Sequence, residues 1–146
     1  MQFGQKEKEE LIFRAMRARE RAYAPYSQFK VGAALITDEG NIVTGCNVEN
    51  SAYGLCNCAE RTAVFSAVSE YGGSIKISGI AIVGWRDSDE PGYAFPCGSC
   101  RQVLSEFEDK KQGMQVLVAR NVKDYKEYQL KELLPGAFSL GEDEEE

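Results

Sequence analysis

The sequence predicts an α/β protein, a three-layer α/β/α sandwich built on a mixed five-stranded sheet. Three observations carry that prediction. Runs with strand character are interleaved with runs of helical period, so helices must cover a sheet on both sides. The turn signal Asp38-Glu39-Gly40-Asn41 joins two β-prone runs and predicts an antiparallel pair. Residues 77–84 are apolar enough to be buried on both faces, as in a strand of a covered sheet. At 146 residues the chain is long enough for one substantial core but not for two. The expected organisation is a single domain over residues 1–140 followed by an acidic tail, 141–146.

The elements follow in order. Residues 7–24 predict an opening helix with Leu11, Ile12, Ala15, Met16 and Ala18 as its apolar stripe. Pro25 is expected to end it, because the residue before a proline avoids helical conformation. Residues 31–37 and 42–46 are the two strands of the hairpin. Residues 58–71 return to helical spacing, with Ala63, Val64, Ala67 and Val68 on one face and Gly72-Gly73 as the stop. The buried strand 77–84 leads into a loop, 85–95, rich in Asp, Ser, Pro and Gly. A helix at 97–107, a strand at 115–119, an edge strand at 125–128 and a short helix at 130–134 complete the chain.

Charge and residue usage exclude several function classes. The formal net charge is −6, and much of the excess lies in Glu142-Asp143-Glu144-Glu145-Glu146. No basic stripe is present to grip a phosphate backbone, which argues against nucleic acid as a partner. No apolar run approaches the ~20 residues of a membrane span. The polar start of the chain lacks the apolar core of a signal peptide, so a cytoplasmic location is expected. In that compartment five cysteines are free thiols or metal ligands rather than disulfides. There is no histidine, which removes serine–histidine and cysteine–histidine catalysis and leaves any zinc site to thiolates and carboxylates.

The cysteine spacing then points to a metal. Cys97-Gly98-Ser99-Cys100 follows Pro96 at a predicted helix start, where backbone N–H groups and the helix dipole favour thiolates. Cys58 occupies a second predicted helix start. Two such termini converging would give a tetrahedral zinc three thiolates and leave its fourth position open, the mark of a catalytic site. Glu60, two residues after Cys58, would stand beside that position as a proton carrier. A Cys-x-x-Cys alone also fits a redox pair, and Cys56 offers a fourth thiol for a closed structural site. Cys56 and Cys58 are nevertheless a tight fit on one tetrahedron, and a closed site leaves Glu60 without a role. Cys46 and Cys56 are expected to be buried thiols. Three thiol or His/Cys₂ ligands, a non-ligand glutamate and a downstream Pro-Cys-x-x-Cys form the pattern of zinc deaminases of nucleobases.

Five blocks carry a closer resemblance. They are Tyr23-Ala24-Pro25-Tyr26-Ser27-Gln28-Phe29-Lys30-Val31-Gly32-Ala33-Ala34, Gly45-Cys46-Asn47-Val48-Glu49-Asn50-Ser51-Ala52-Tyr53, Cys58-Ala59-Glu60-Arg61-Thr62-Ala63, Pro96-Cys97-Gly98-Ser99-Cys100-Arg101-Gln102 and Leu133-Leu134-Pro135-Gly136-Ala137-Phe138. In this order they make the sequence similar to the small cytidine deaminases with an all-cysteine zinc site, over roughly residues 11–138. The resemblance implies one Zn²⁺ per subunit on Cys58, Cys97 and Cys100, with Glu60 as the proton shuttle. It implies that Asn47 and Glu49 hydrogen-bond the ribose hydroxyls, that Phe29 lines the base pocket and that the Ala59 backbone meets the pyrimidine edge. Tyr53 and Phe138 would help complete a neighbouring subunit's pocket, which implies a homotetramer, and Arg61 would soften the charge of three thiolates.

The activity so implied is hydrolytic deamination of cytidine and deoxycytidine in pyrimidine salvage. A related aminopyrimidine nucleoside or nucleoside antibiotic is the alternative substrate, and a non-catalytic structural zinc module is the alternative from another class. One stretch departs from the family pattern. Residues 85–95 form a longer segment leading straight into Cys97, and are expected to shape the pocket rim.

Overall fold

The computed structural model describes residues 4–140, so the expected acidic tail lies outside the described residues. Helix α1 (Gln5–Arg19) is followed by strands β1 (Phe29–Thr37) and β2 (Ile42–Cys46), helix α2 (Ala59–Tyr71) and strand β3 (Ile77–Arg86). Helix α3 (Gly98–Glu106), strands β4 (Gln115–Asn121) and β5 (Asp124–Gln129) and the short helix α4 (Leu130–Leu133) complete it. The strands form one sheet in the order β2-β1-β3-β4-β5. Only β3 and β4 run parallel; the other neighbours are antiparallel. The sheet is therefore mixed, with five strands, as the sequence predicts.

Side chains alternate between the faces of a strand, and three strands use this to build two cores. Ala33, Leu35, Ile80, Ile82, Val116 and Val118 pack with Ala63, Val64 and Leu104 from α2 and α3. Their sequence neighbours Ala34, Ile36, Ala81, Val83, Leu117 and Ala119 pack with Leu11, Ile12 and Ala15 of α1 on the opposite face. Helix α1 thus forms one outer layer, and α2 and α3 the other. A one-residue register slip would exchange the two cores, so the pairing is strongly specified.

Two of the differences from the expected boundaries bear on the site. Helix α1 stops at Arg19, well before Pro25. Beyond it the backbone tightens into i→i−3 bonds, such as Arg21 N to Ala18 O at 3.0 Å. Tyr23 then leaves the helix altogether, because its N–H donates to Asn47 O and its carbonyl accepts from Glu49 N. Pairing with a distant loop wins over helical propensity. At the other boundary, β1 begins at Phe29 and β3 runs on to Arg86, each strand extending the other through the pairs Lys30↔Trp85 and Phe29↔Arg86. Trp85 is therefore a strand residue, and the connecting loop is 87–97.

Strand directions place chemistry at one end. β2 and β3 both run antiparallel to β1, so their C-terminal ends lie beside the start of β1. Phe29, the residues after Cys46, and the loops entering α2 and α3 all gather there. Clefts in α/β sheets form at such strand ends.

Candidate active site

The α2 entrance is built by close backbone approach. A methyl group at Gly45 of β2 would come within 2.5 Å of Ala63 N and 2.7 Å of Ala59 O, so only glycine lets α2 lie so near the sheet. Cys58 caps this helix and Cys97 caps α3. Cys100 sits in the first turn of α3 and is fully buried. The three sulfur atoms lie within 4.8 Å of one another, and Cys58 Sγ is 3.9 Å from Cys97 Sγ. Two thiolates on a tetrahedral zinc, each at about 2.3 Å, are separated by about 3.8 Å. Soft thiolate donors on two helix N-termini, at this spacing, fit zinc.

Electrostatics reinforce the fit. Cys58 is pulled down to about 5, first by the hydrogen bond from the Cys100 thiol and then by the Arg61 guanidinium, while burial opposes. The Cys100 thiol, holding the proton shared with Cys58 and buried beside it, is pushed up. Arg61 Nη2 donates to Cys58 Sγ at 3.2 Å from one turn further along α2, and this partner raises the guanidinium's own pKa. Arg61 does reach the thiol cluster. Cys56 stays apart from it: Asn50 N donates to Cys56 Sγ at 3.3 Å, and the thiol returns toward Asn50 O. Cys46 and Cys56 are half-buried rather than buried, and among the described residues the metal-competent group holds three cysteines. A closed four-cysteine site is not formed.

Glu60 opens α2 and is only 4% exposed. Burial pushes its carboxyl up to about 7, with the Cys58 charge adding to the rise. It lines a cleft of about 350 Å³ together with Cys58, Cys97, Ala59, Arg61, Phe29, Asn47 and Glu49. That volume falls within the range of small-molecule sites.

The 47–49 segment is set by a ladder in which Val48 pairs with Asn57 on one side and Tyr23 on the other. Asn47 then acts as an extra link to β1: Oδ1 accepts from Val31 N at 2.8 Å and Nδ2 donates to Phe29 O at 2.8 Å. Glu49 Oε1 accepts from Tyr26 N and Ser27 N at 3.0 and 3.1 Å, and Oε2 accepts from Ser27 Oγ. Those donors, the Ser27 hydroxyl foremost, hold its carboxyl below the usual range.

The structure thus brings together every site residue singled out from the sequence except two. Tyr53 is 78% exposed, set edge-on to Tyr26, and Phe138 is 67% exposed; neither lines the cleft of this chain. Sequence reasoning missed Val31, Asn57 and Ile82, which also line it, as does Cys56, expected only as a buried thiol; Ala94 and Phe95 line it from the 85–95 segment expected to shape the rim. For Ala94 and Phe95 a signal was present, since they directly precede Pro96-Cys97. Val31 and Ile82 read simply as core strand positions.

Comparisons with known proteins agree with this geometry. The family model of the cytidine and deoxycytidylate deaminase zinc-binding region matches residues 5–115. The chain is similar to the cytidine deaminase of Sporosarcina psychrophila, 49% identical over 132 residues that cover 90% of each protein. It is 47% identical to the cytidine deaminase of Halalkalibacterium halodurans over 131 residues, 88% of this chain and 92% of that one. A crystal structure of cytidine deaminase from Burkholderia pseudomallei superposes with a TM-score of 0.76 at 48% identity, covering 88% of this chain and 97% of the other.

Proposed function

The chain belongs to the cytidine and deoxycytidylate deaminase family, and from that premise we propose that it hydrolyses cytidine and deoxycytidine to uridine and deoxyuridine, releasing ammonia. The observation that carries this reading is the placement of buried Glu60 in a cleft with Cys58 and Cys97, two of three converging thiols. Cys58, Cys97 and Cys100 would hold one zinc ion per subunit. Bound there, zinc supplies Lewis-acid activation of a water molecule.

The chain's own groups do the rest. Glu60, enclosed and poorly solvated, takes a proton from the attacking water and returns it to N3 of the cytosine ring as the C4–O bond forms. It then carries that water's second proton to the exocyclic amine, and ammonia departs as the C4–N bond breaks. Arg61 donates to Cys58 Sγ and offsets the excess negative charge of a three-thiolate site. Phe29 offers an aromatic wall to the base, and the Ala59 backbone meets its polar edge. Asn47 spends one lone pair and one N–H on β1, keeping one of each for a ribose hydroxyl. Glu49, already held by the 26–27 segment, keeps acceptor capacity for another.

Tyr53 and Phe138, large and exposed, support a homotetramer in which they complete a neighbouring copy's cleft. We assign the reaction to pyrimidine salvage in the cytoplasm by one catalytic domain over residues 1–140. Among the described residues no helix is long and apolar enough to cross a membrane.

The test follows cytidine, deoxycytidine and cytosine by absorbance, with zinc-loaded protein beside Glu60→Gln. Wild type is expected to consume both nucleosides, and Glu60→Gln to lose about 10²–10⁴-fold in kcat with zinc retained. An inert zinc-loaded wild type refutes the enzyme. Full activity in Glu60→Gln refutes its proton role.

A further inference from the structure

The segment that enters the thiol cluster is held by a device the reaction described above does not use. Residues 92–97 form a strap across the site end of the sheet. Gly92 bridges Gly84 at the end of β3. A methyl group at Gly84 would lie about 3.1 Å from both Ala94 Cβ and Phe29 Cε1, so the missing side chain lets the strap settle beside Phe29. Further on, Arg101 Nε donates to Pro96 O at 2.7 Å.

Between those points the strap runs along one face of β5. Asp124, Lys126 and Tyr128 share that face by the two-residue period of the strand. Tyr93 meets the first two and Phe95 the third. Tyr93 Oη donates to Asp124 Oδ1 at 2.5 Å, and Asp124 Oδ2 in turn accepts from Arg120 Nε at 2.8 Å. The Tyr93 ring lies 5.0 Å from the Arg120 guanidinium carbon and 4.4 Å from Lys126 Nζ, within cation–π range. Phe95 packs on Tyr128 with ring centroids 5.5 Å apart, yet stays 42% exposed and lines the cleft.

We propose that Phe95 is a substrate-contacting wall of the cleft and that Tyr93 is the positioning residue that sets it, through the Asp124–Arg120–Lys126 cluster on β4 and β5. The two residues act in series. Tyr93 fixes the height of the strap, Phe95 then presents its ring to a planar nucleobase beside Phe29, and Cys97 follows two residues later. Loosening Tyr93 therefore weakens substrate binding before it touches the proton transfers at Glu60.

The inference rests on the deaminase reading, and the experiment separates the two. Zinc-loaded wild type, Tyr93→Phe, Phe95→Ala and the double variant are compared by cytidine kinetics, by calorimetric binding of uridine, and by zinc content and Tm. Tyr93→Phe keeps the ring and loses only the bond to Asp124. It is expected to raise KM and the uridine Kd about three- to tenfold, within the coupling range of residues in contact. Its kcat is expected to stay within about twofold and its zinc content at one per subunit, which separates a positioning role from general loosening of the fold. Phe95→Ala is expected to raise both constants further, and the double variant to bind no worse than Phe95→Ala alone, because Tyr93 acts through Phe95. Unchanged KM and Kd in Tyr93→Phe, or effects that multiply in the double variant, overturn the inference while an active wild type upholds the deaminase. An inert wild type removes both.

Discussion

Two helix N-termini meet at the thiol cluster, and they are held there by different physics. The α2 terminus rests on contact: Gly45 brings Ala59 and Ala63 against β2 with no room for another atom. The α3 terminus hangs on polar tethers, with Arg101 bonded to Pro96 O and Leu133 O at 2.7 Å each and Tyr93 bonded to Asp124. Close packing is a steep constraint that fails when volume is added. Tethers yield by degrees. The rigid side carries Glu60 and Arg61, and the proton transfers and charge balance proposed for them demand fixed distances. The tethered side carries Phe95 and the rim, where a site can adjust to the ligand.

The sharpest way to break that contrast is to add one methyl group on the rigid side. Gly45→Ala is expected to push α2 off the sheet, costing about 1–3 kcal/mol in stability. Because the displacement moves Cys58 and Glu60 together, activity is expected to fall by about 10²-fold or more, the scale of a 1 Å misplacement at a reacting centre. Thermal unfolding, zinc content and cytidine turnover check it. A variant with wild-type Tm and turnover would show that α2 is not wedged by β2.

A smaller effect tests charge instead of volume. Arg61→Gln removes the donor to Cys58 Sγ while leaving Gly45 and the backbone contacts intact. Outer partners of metal ligands typically contribute 10–100-fold in affinity, and a loss of about that size is expected in a chelator competition. Unchanged zinc affinity would mean that the helix terminus alone supports the thiolate.

The same contrast decides what could be read from the sequence. The rigid side was legible because its parts are neighbours in the chain: Cys58, Glu60 and Arg61 span one helical turn. The thiols of the tethered side were legible for the same reason, since Pro96-Cys97 and Cys100 span one turn of α3. The three-layer architecture was legible because β1, β3 and β4 are apolar on both faces. The end of α1 was not legible, since Tyr23 leaves the helix to pair with Val48, and no local signal announces a partner so distant in the chain. The strap was half legible. Its unusual length marked it as a rim, but the anchor of Tyr93 lies on Asp124, and a tyrosine–aspartate pair that far apart leaves no pattern in either stretch. Tyr53 and Phe138 were singled out by resemblance alone, and both stand exposed outside the cleft.

The polar tethers of the α3 side carry a signature in pH, and here the expected effect is an absence of change. Hydrogen bonds from Tyr93 and then Arg120 hold the Asp124 carboxyl below its usual range. A carboxylate whose folded pKa is depressed contributes fully above its unfolded value, about 3.9, and loses that contribution only as pH falls through the lower folded one. The Tyr93 phenol is raised above its ordinary value of about 10, chiefly by the bond to Asp124. Both partners therefore keep one protonation state across neutral pH. The ratio of KM between Tyr93→Phe and wild type is expected to be flat from about pH 6 to pH 9, even where kcat itself varies with pH, because the ionisations of the reacting site are common to both proteins and cancel. Steady-state kinetics across that range measures the ratio. A slope would place a titrating group between the strap and the cleft, and the tethered side would then be coupled to the proton chemistry of the rigid one.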